Sequence, residues 1–328
     1  MSSAEKILKV GGMAVAEAPA LPVLLGPDGA KAKTAGRGRV LSACGARASA
    51  YLELAKPEVT FLVLVAAGLG FAMASPGLDL PGLMRLLLGT GLLAAGTAAL
   101  NHCLEWSDDA KMRRTVRRPI PSGRLALWEG YSLGVVSALA GTACLVLGVS
   151  PLAGLIGLAA CLAYLCGYTP LKRKTAWCTF VGAFPGAAPV LIGWTAAASL
   201  SAEAWVLFAI LFLWQFPHFI AIAWMYREDY ARAGLLMLPR GDAGGRRAFR
   251  QIMGYSLVLV PASLAPVWLG MAGSIYLAAA LCLGAGFLYC AWRAYAQRTK
   301  QQARLLLHVT VIYLPLLYLM MVLDKVGA

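Results

Sequence analysis

The sequence predicts an all-α integral membrane protein with nine transmembrane helices, and three observations carry that reading. Of its 328 residues, 60% are apolar and only 13% charged, with a mean hydropathy of +0.70, whereas soluble domains hold about 45–50% apolar and about 25% charged residues. The apolar residues form nine stretches near the length of about 20 residues with which a helix crosses about 30 Å of hydrocarbon. Lys and Arg gather in alternate gaps between those stretches. The same figures exclude a water-soluble globular protein and, for most of the length, a disordered chain. Net charge is +14, from 29 Lys and Arg against 15 Asp and Glu. That surplus reads as a cytoplasmic membrane surface, and no basic, aromatic nucleic-acid module accompanies it, so no nucleic-acid partner is expected.

In chain order, residues 1–50 are rich in Ala, Gly and isolated charges and hold no spanning run. They read as a mostly disordered cytoplasmic tail ahead of a membrane domain over 51–328. A mitochondrial leader fits less well, because Glu5, Glu17 and Asp28 interrupt what is an acid-poor kind of segment. The spans are predicted at 57–74, 83–104, 127–148, 152–168, 177–198, 203–225, 252–271, 273–291 and 305–323. On that division 27 of the 29 Lys and Arg residues share one side, and only Arg85 and Lys325 fall on the other. The excess of basic residues places that side, with the N-terminus, in the cytoplasm and the C-terminus outside, as in a bacterial inner membrane. Seven of the eight cysteines lie in or beside apolar stretches, Cys44 lies in the tail, and none forms a C-x-x-C pair. They read as small apolar residues. The outer connections are short, while 105–126 and 226–251 on the cytoplasmic side are long. Long connections in a compact protein tend to carry function.

The first polar constellation is Asn101-His102-Cys103-Leu104-Glu105-Trp106-Ser107-Asp108-Asp109. At about 100° per residue, Glu105 lies about 40° from Asn101, Asp108 about 20° to the other side and Asp109 about 80° round. One helix face thus presents an amide and two or three carboxylates at the membrane boundary. Oxygen ligands without cysteine suit a hard cation such as Mg²⁺, although a solvated helix end paired to nearby arginines has the same composition. Met112-Arg113-Arg114-Thr115-Val116-Arg117-Arg118-Pro119 follows directly, and guanidinium forks beside a metal-binding face suit a diphosphate. A second acidic cluster, Tyr226-Arg227-Glu228-Asp229-Tyr230, ends the sixth span. Two such clusters facing one compartment suit two metal ions bridged by one diphosphate. A third basic group, Tyr168-Thr169-Pro170-Leu171-Lys172-Arg173-Lys174-Thr175, follows the fourth span. His218, after Pro217 inside the sixth span, is an intramembrane ionisable residue and therefore a functional candidate. A bond to a backbone carbonyl freed near Pro217 is its structural alternative. His102 and His308 carry less.

These motifs, in order Asn-x3-Glu-x3-Asp, M-x-R-T-x-x-R-P over 112–119, Y-T-P-L-K-R-x-T, W-Q-x-P-H-F and D-Y-x-x-A-G, resemble those of the UbiA-type intramembrane prenyltransferases from about Leu54 to the C-terminus. Within that family, Trp214 to Phe219 and Leu171-Lys172-Arg173 resemble the subfamily that farnesylates protohaem IX. Ser107 stands where many bacterial members carry a further Asp, which leaves open whether Asp108 or Asp109 meets the metal. The resemblance implies a nine-helix UbiA-type bundle around a central cavity open to the cytoplasmic side. It implies farnesyl diphosphate as donor and haem B as acceptor, a substrate rather than a prosthetic group, with haem O as product for cytochrome oxidase assembly. It further implies Mg²⁺, two ions, held by Asn101, Glu105, Asp108 or Asp109, and Asp229. Arg114, Arg118, Lys172 and Arg173 are implied for the diphosphate and His218 for haem. Tyr168, Trp214 and Tyr226, with Tyr164 and Phe216, are the aromatic faces available to an allylic cation. The lipid bilayer and, downstream, haem A synthase or oxidase assembly factors are the implied partners. Another prenyl acceptor within the family and, from a different class, a transporter lined by Asn101 and His218 are the competing readings. The clustering of ionisable groups at one membrane face, not the midplane, favours the enzyme.

Overall fold

The computed structural model describes residues 45–77 and 79–326; the expected tail over 1–44, with Cys44, lies outside the described residues. Within them the fold is helical apart from one isolated bridge between Ala272 and Lys325. A short helix α1 (residues 45–54) precedes α2 (Pro57–Ala74), α3 (Leu80–Asp109), α4 (Leu127–Gly148) and α5 (Pro151–Leu162). A π-helical turn, Ala163–Tyr168, leads into α6 (Thr169–Leu171). Then come α7 (Cys178–Trp194), α8 (Ala202–Met225), α9 (Arg227–Ala233), α10 (Arg246–Trp268), α11 (Ser274–Gln297) and α12 (Lys300–Leu323). Eight helical segments are long and apolar enough to cross a membrane, with Pro151–Leu171 counted as one; α7, at 17 residues, is shorter.

Helix starts follow local chemistry. Pro occupies the first turn of α2, α3 and α5, where its missing N–H costs nothing. Asp79, Ser150 and Thr299 accept hydrogen bonds from the first-turn amides of α3, α5 and α12, satisfying donors that have no partner inside the helix. Several helix ends differ from the sequence expectation by up to six residues, and two of them bear on the polar end of α3. α3 continues through Asp109, five residues past the predicted end of the second span, so the whole acidic motif is helical. α1 begins six residues before the predicted start of the membrane domain, and it buries Ala50 and Leu54 against Cys103 and Ile120.

α3 packs on α4 and α2, α2 on α7, α7 on α8, and α8 on α10 and α12, with α11 closing between α10 and α12. Leu207, Leu259, Tyr276, Phe287, Tyr313 and Leu317 are fully or nearly fully buried in the largest apolar cluster. The large side chains left outside, such as Phe61, Val136, Leu147, Trp268 and Leu323, are apolar too, the inversion that a hydrocarbon solvent permits. α3 carries Glu105, Asp108 and Asp109 at its C-terminal end.

Candidate active site

The face of α3 that carries Asn101, Glu105 and Asp109 opens on a pocket of about 90 Å³. Spacing of four residues advances a helix by about 40°, so the three side chains climb one face in a shallow spiral. Each is met by a cation from another segment. Lys56 Nζ donates to Asn101 Oδ1 at 2.9 Å, Lys172 Nζ to Glu105 Oε1 at 2.6 Å, and Arg118 to Asp109 Oδ2 at 2.7 Å. Asp109 is 1% exposed and Asn101 1%, so these bonds form away from bulk water, where a charge without a partner is costly. Asn101 Nδ2 donates in turn to Thr169 Oγ1 at 3.2 Å, which fixes the amide with its oxygen toward Lys56.

Aromatic rings complete the pocket. The π-helical turn before Pro170 places Tyr164 and Tyr168 side by side, ring centres 5.1 Å apart, and both line the pocket. Single π turns of this kind cluster at functional sites. Lys172 Nζ stands 4.3 Å from the Tyr168 ring centre, a cation–π contact that the same ring can offer to another cation. Arg114 lies over Tyr226 at 4.8 Å and donates to the Tyr230 hydroxyl at 3.2 Å. The loop after α9 closes the far wall with Leu235 and Met237. It is tied to the Lys172 carbonyl by the Leu236 amide at 2.6 Å.

Sequence reasoning missed Lys56 and did not single out Tyr230. Lys56 sits in the break between α1 and α2, in left-handed backbone with φ 47°, an uncommon conformation for a side-chain-bearing residue that marks constrained sites. Burial, with Arg118 and Lys172 close by, pulls its ammonium down to about 7. The signal was the Lys-Pro pair itself, a helix start directly ahead of a span.

Other expected residues lie elsewhere. Asp108 turns away from the pocket to Arg173 at 2.8 Å and Lys111 at 3.4 Å, so of the two neighbouring acids it is Asp109 that lines the pocket and Arg173 is engaged outside it. Asp229 does not join Glu105 and Asp109; it pairs with Arg232 one turn along α9. Among the described residues no three His, Cys, Asp or Glu side chains converge as a metal site. The donors that do share the pocket, one amide and two carboxylates, are all hard oxygens. Mg²⁺ takes one or two carboxylates and fills its remaining positions with water and substrate phosphate, so this set fits Mg²⁺.

Trp214 and His218 face α12. The Trp214 indole N–H donates to the Thr310 carbonyl at 2.8 Å, and its ring stacks on His218 with centres 4.6 Å apart. Thr310 Oγ1 donates to the Leu307 carbonyl at 2.7 Å, so it accepts from His218 Nδ1–H across 2.9 Å. The partner of His218 is therefore a hydroxyl on another helix. Phe216 and Tyr255 stack in a neighbouring cleft, outside the pocket.

Residues 61–314 match the UbiA prenyltransferase family. A protoheme IX farnesyltransferase of Solibacter usitatus is 50% identical over 288 residues, covering 84% of this chain and 99% of that protein. One from Koribacter versatilis is 44% identical over 287 residues, covering 84% and 93%. In three dimensions, the UbiA homolog from Aeropyrum pernix superposes with a TM-score of 0.64 at 20% identity, over 80% of this chain and 98% of that one. A UbiA homolog from Archaeoglobus fulgidus bound to DMAPP and Mg²⁺ gives 0.60 at 17%, over 83% and 98%. The chain belongs to the UbiA prenyltransferase family.

Proposed function

We propose that the protein is a membrane prenyltransferase that moves the farnesyl group of farnesyl diphosphate to a vinyl group of haem B, with addition of water, to give haem O. The observation that carries this reading is the pocket where Asn101, Glu105 and Asp109 face Lys56, Arg114, Arg118 and Lys172. Acids and cations of one site hold each other, so a substrate bringing both a diphosphate and a divalent cation satisfies both sets at once. The relatives named protoheme IX farnesyltransferase, 50% and 44% identical, support the choice of acceptor.

Asn101, Glu105 and Asp109 would hold Mg²⁺, which when bound would supply neutralising charge to a diphosphate leaving group. A second ion would draw on Asp229 once it is released from Arg232. Arg118 and Lys172, exchanged from their carboxylates, grip phosphate oxygens; Arg114 reaches them from its seat on Tyr226. When the bond from C1 to the bridging oxygen breaks, its electron pair leaves with the diphosphate. The positive charge left on the allyl group lies against the Tyr164 and Tyr168 faces. The vinyl terminus then bonds to C1, water adds to the inner vinyl carbon, and a proton is lost. We place α7 as the ninth crossing, since 17 residues fall at the lower limit for a span, and the pocket on the cytoplasmic side because the basic residues share its end of the bundle.

Incubation of the purified protein with haem B, farnesyl diphosphate and Mg²⁺, followed by mass analysis of the pigment, tests the reading. A gain of one farnesyl group and one hydroxyl group is expected. Unchanged haem B, with the protein intact and folded, would overturn it.

A further inference from the structure

A second cleft, of about 380 Å³, lies beside the acid pocket between the start of α7, α8, α10 and the loop after α9. Met237 walls both cavities. The floor of the cleft is aromatic. Phe216 and Tyr255 stack with ring centres 3.8 Å apart and planes 5° from parallel, Phe180 leans on Phe216 at 6.1 Å, and Trp177 meets Phe180 edge-on at 5.8 Å. The rim holds two exposed cations, Lys174 and Arg240. Among the described residues neither forms an ion pair, and the cleft has no acidic lining residue. Lys172 and Arg118, one cavity away, are by contrast already matched to carboxylates.

We propose that this cleft is the acceptor subsite: it takes a flat, apolar macrocycle bearing carboxylates, with the macrocycle on the aromatic floor and the carboxylates on Lys174 and Arg240. The inference deepens the functional reading above and rests on it, since haem B has this chemistry. Ring faces are recognised by stacking and edge contacts, and two unpaired cations match two propionates, which occupy one edge of the porphyrin. Seated with that edge at the rim, the porphyrin turns the half that bears its vinyl groups inward, toward Met237 and the pocket behind it. A farnesyl chain has no charge to place on the rim, and its diphosphate has its own cations at the acid pocket.

The test compares haem B with its propionate dimethyl ester as acceptors, in wild type and in Lys174→Ala/Arg240→Ala, in a neutral detergent. The KM of wild type should rise roughly tenfold from diacid to diester, the scale set by losing a charge-assisted bond. The double variant should show the raised KM for both acceptors and no discrimination between them, while its KM for farnesyl diphosphate stays at the wild-type value. Equal use of diacid and diester by wild type would overturn the proposal. So would a variant whose KM rises for farnesyl diphosphate and not for haem, which would make the cleft a site for the prenyl donor. A variant that keeps full discrimination but loses stimulation by phosphatidylglycerol vesicles would assign the cations to lipid headgroups and equally overturn it. Failure of wild type to farnesylate either acceptor would remove the functional reading itself, a result distinct from all three.

Discussion

At the residue scale, the chemistry rests on pairs that exchange partners. Lys56, Lys172 and Arg118 each hold one oxygen-bearing side chain of α3, so on the proposed function loss of any one cation leaves both a phosphate contact unmade and a buried polar group unpaired. Lys56→Ala should therefore raise the KM for farnesyl diphosphate about tenfold, on the scale of one charge-assisted bond, with little change in the KM for haem; steady-state kinetics with each substrate varied checks this. His102 makes the opposite case. It is 2% exposed inside α3 and, among the described residues, neither ring nitrogen has a partner, so His102→Leu, of similar volume, should stabilise the detergent-solubilised protein by about 1 kcal/mol, seen as a higher midpoint in thermal unfolding. Asn101, Glu105 and Asp109 were legible in the sequence because spacing of four residues is a helix face. Asp229 was legible as a type but not as a place, since the short α9 spends it on Arg232. Lys56 left almost no trace, because what brings it to Asn101 is a backbone turn between two helices and a sequence separation of 45 residues.

At the element scale, the helices meet through small residues. A Cβ on Gly193 of α7 would collide with the Ala67 carbonyl of α2, and one on Gly70 of α2 with the Val190 carbonyl of α7. In lipid there is little hydrophobic force between helices, and such close backbone approach is what joins them. Gly193→Val should cost about 1–3 kcal/mol of stability, while Gly286→Ala, where the added methyl meets open space, should be neutral; thermal aggregation of the two variants in detergent separates these outcomes. Eight of the nine expected spans were readable from apolar length, while α7, at 17 residues, falls short of it, and the ends were less readable. The expected end of α3 at residue 104 failed because the acidic residues that look like a loop are paired with cations and continue the helix. The π turn at Ala163–Tyr168 had only Pro170 to announce it.

At the scale of the whole molecule, charge and chemistry coincide. The sequence groups 27 of its 29 basic residues on one side of the expected spans, and one of the two exceptions has a structural use: Lys325 Nζ donates to the Ala72 and Ser75 carbonyls at 2.9 and 2.6 Å, capping the C-terminal end of α2, where a cation is favoured. A cysteine placed at the exposed Arg113 should react with a membrane-impermeant maleimide in inverted vesicles and not in spheroplasts, and one at Gly77 should show the reverse. The same side for both would break the proposed topology. The one-sided distribution of charge was visible in the sequence; the separation of the polar end into an acid pocket and an aromatic cleft was not, since Phe180, Phe216 and Tyr255 reach that cleft from three helices.

Calorimetric titration of farnesyl diphosphate into the purified protein tests most directly the claim that the α3 face and its cations grip a diphosphate together with a divalent cation. Wild type should bind in the presence of Mg²⁺ and lose at least about tenfold in affinity on chelation, and Glu105→Gln should bind weakly with or without the metal. Affinity in wild type that is indifferent to Mg²⁺ and unchanged in Glu105→Gln would contradict it.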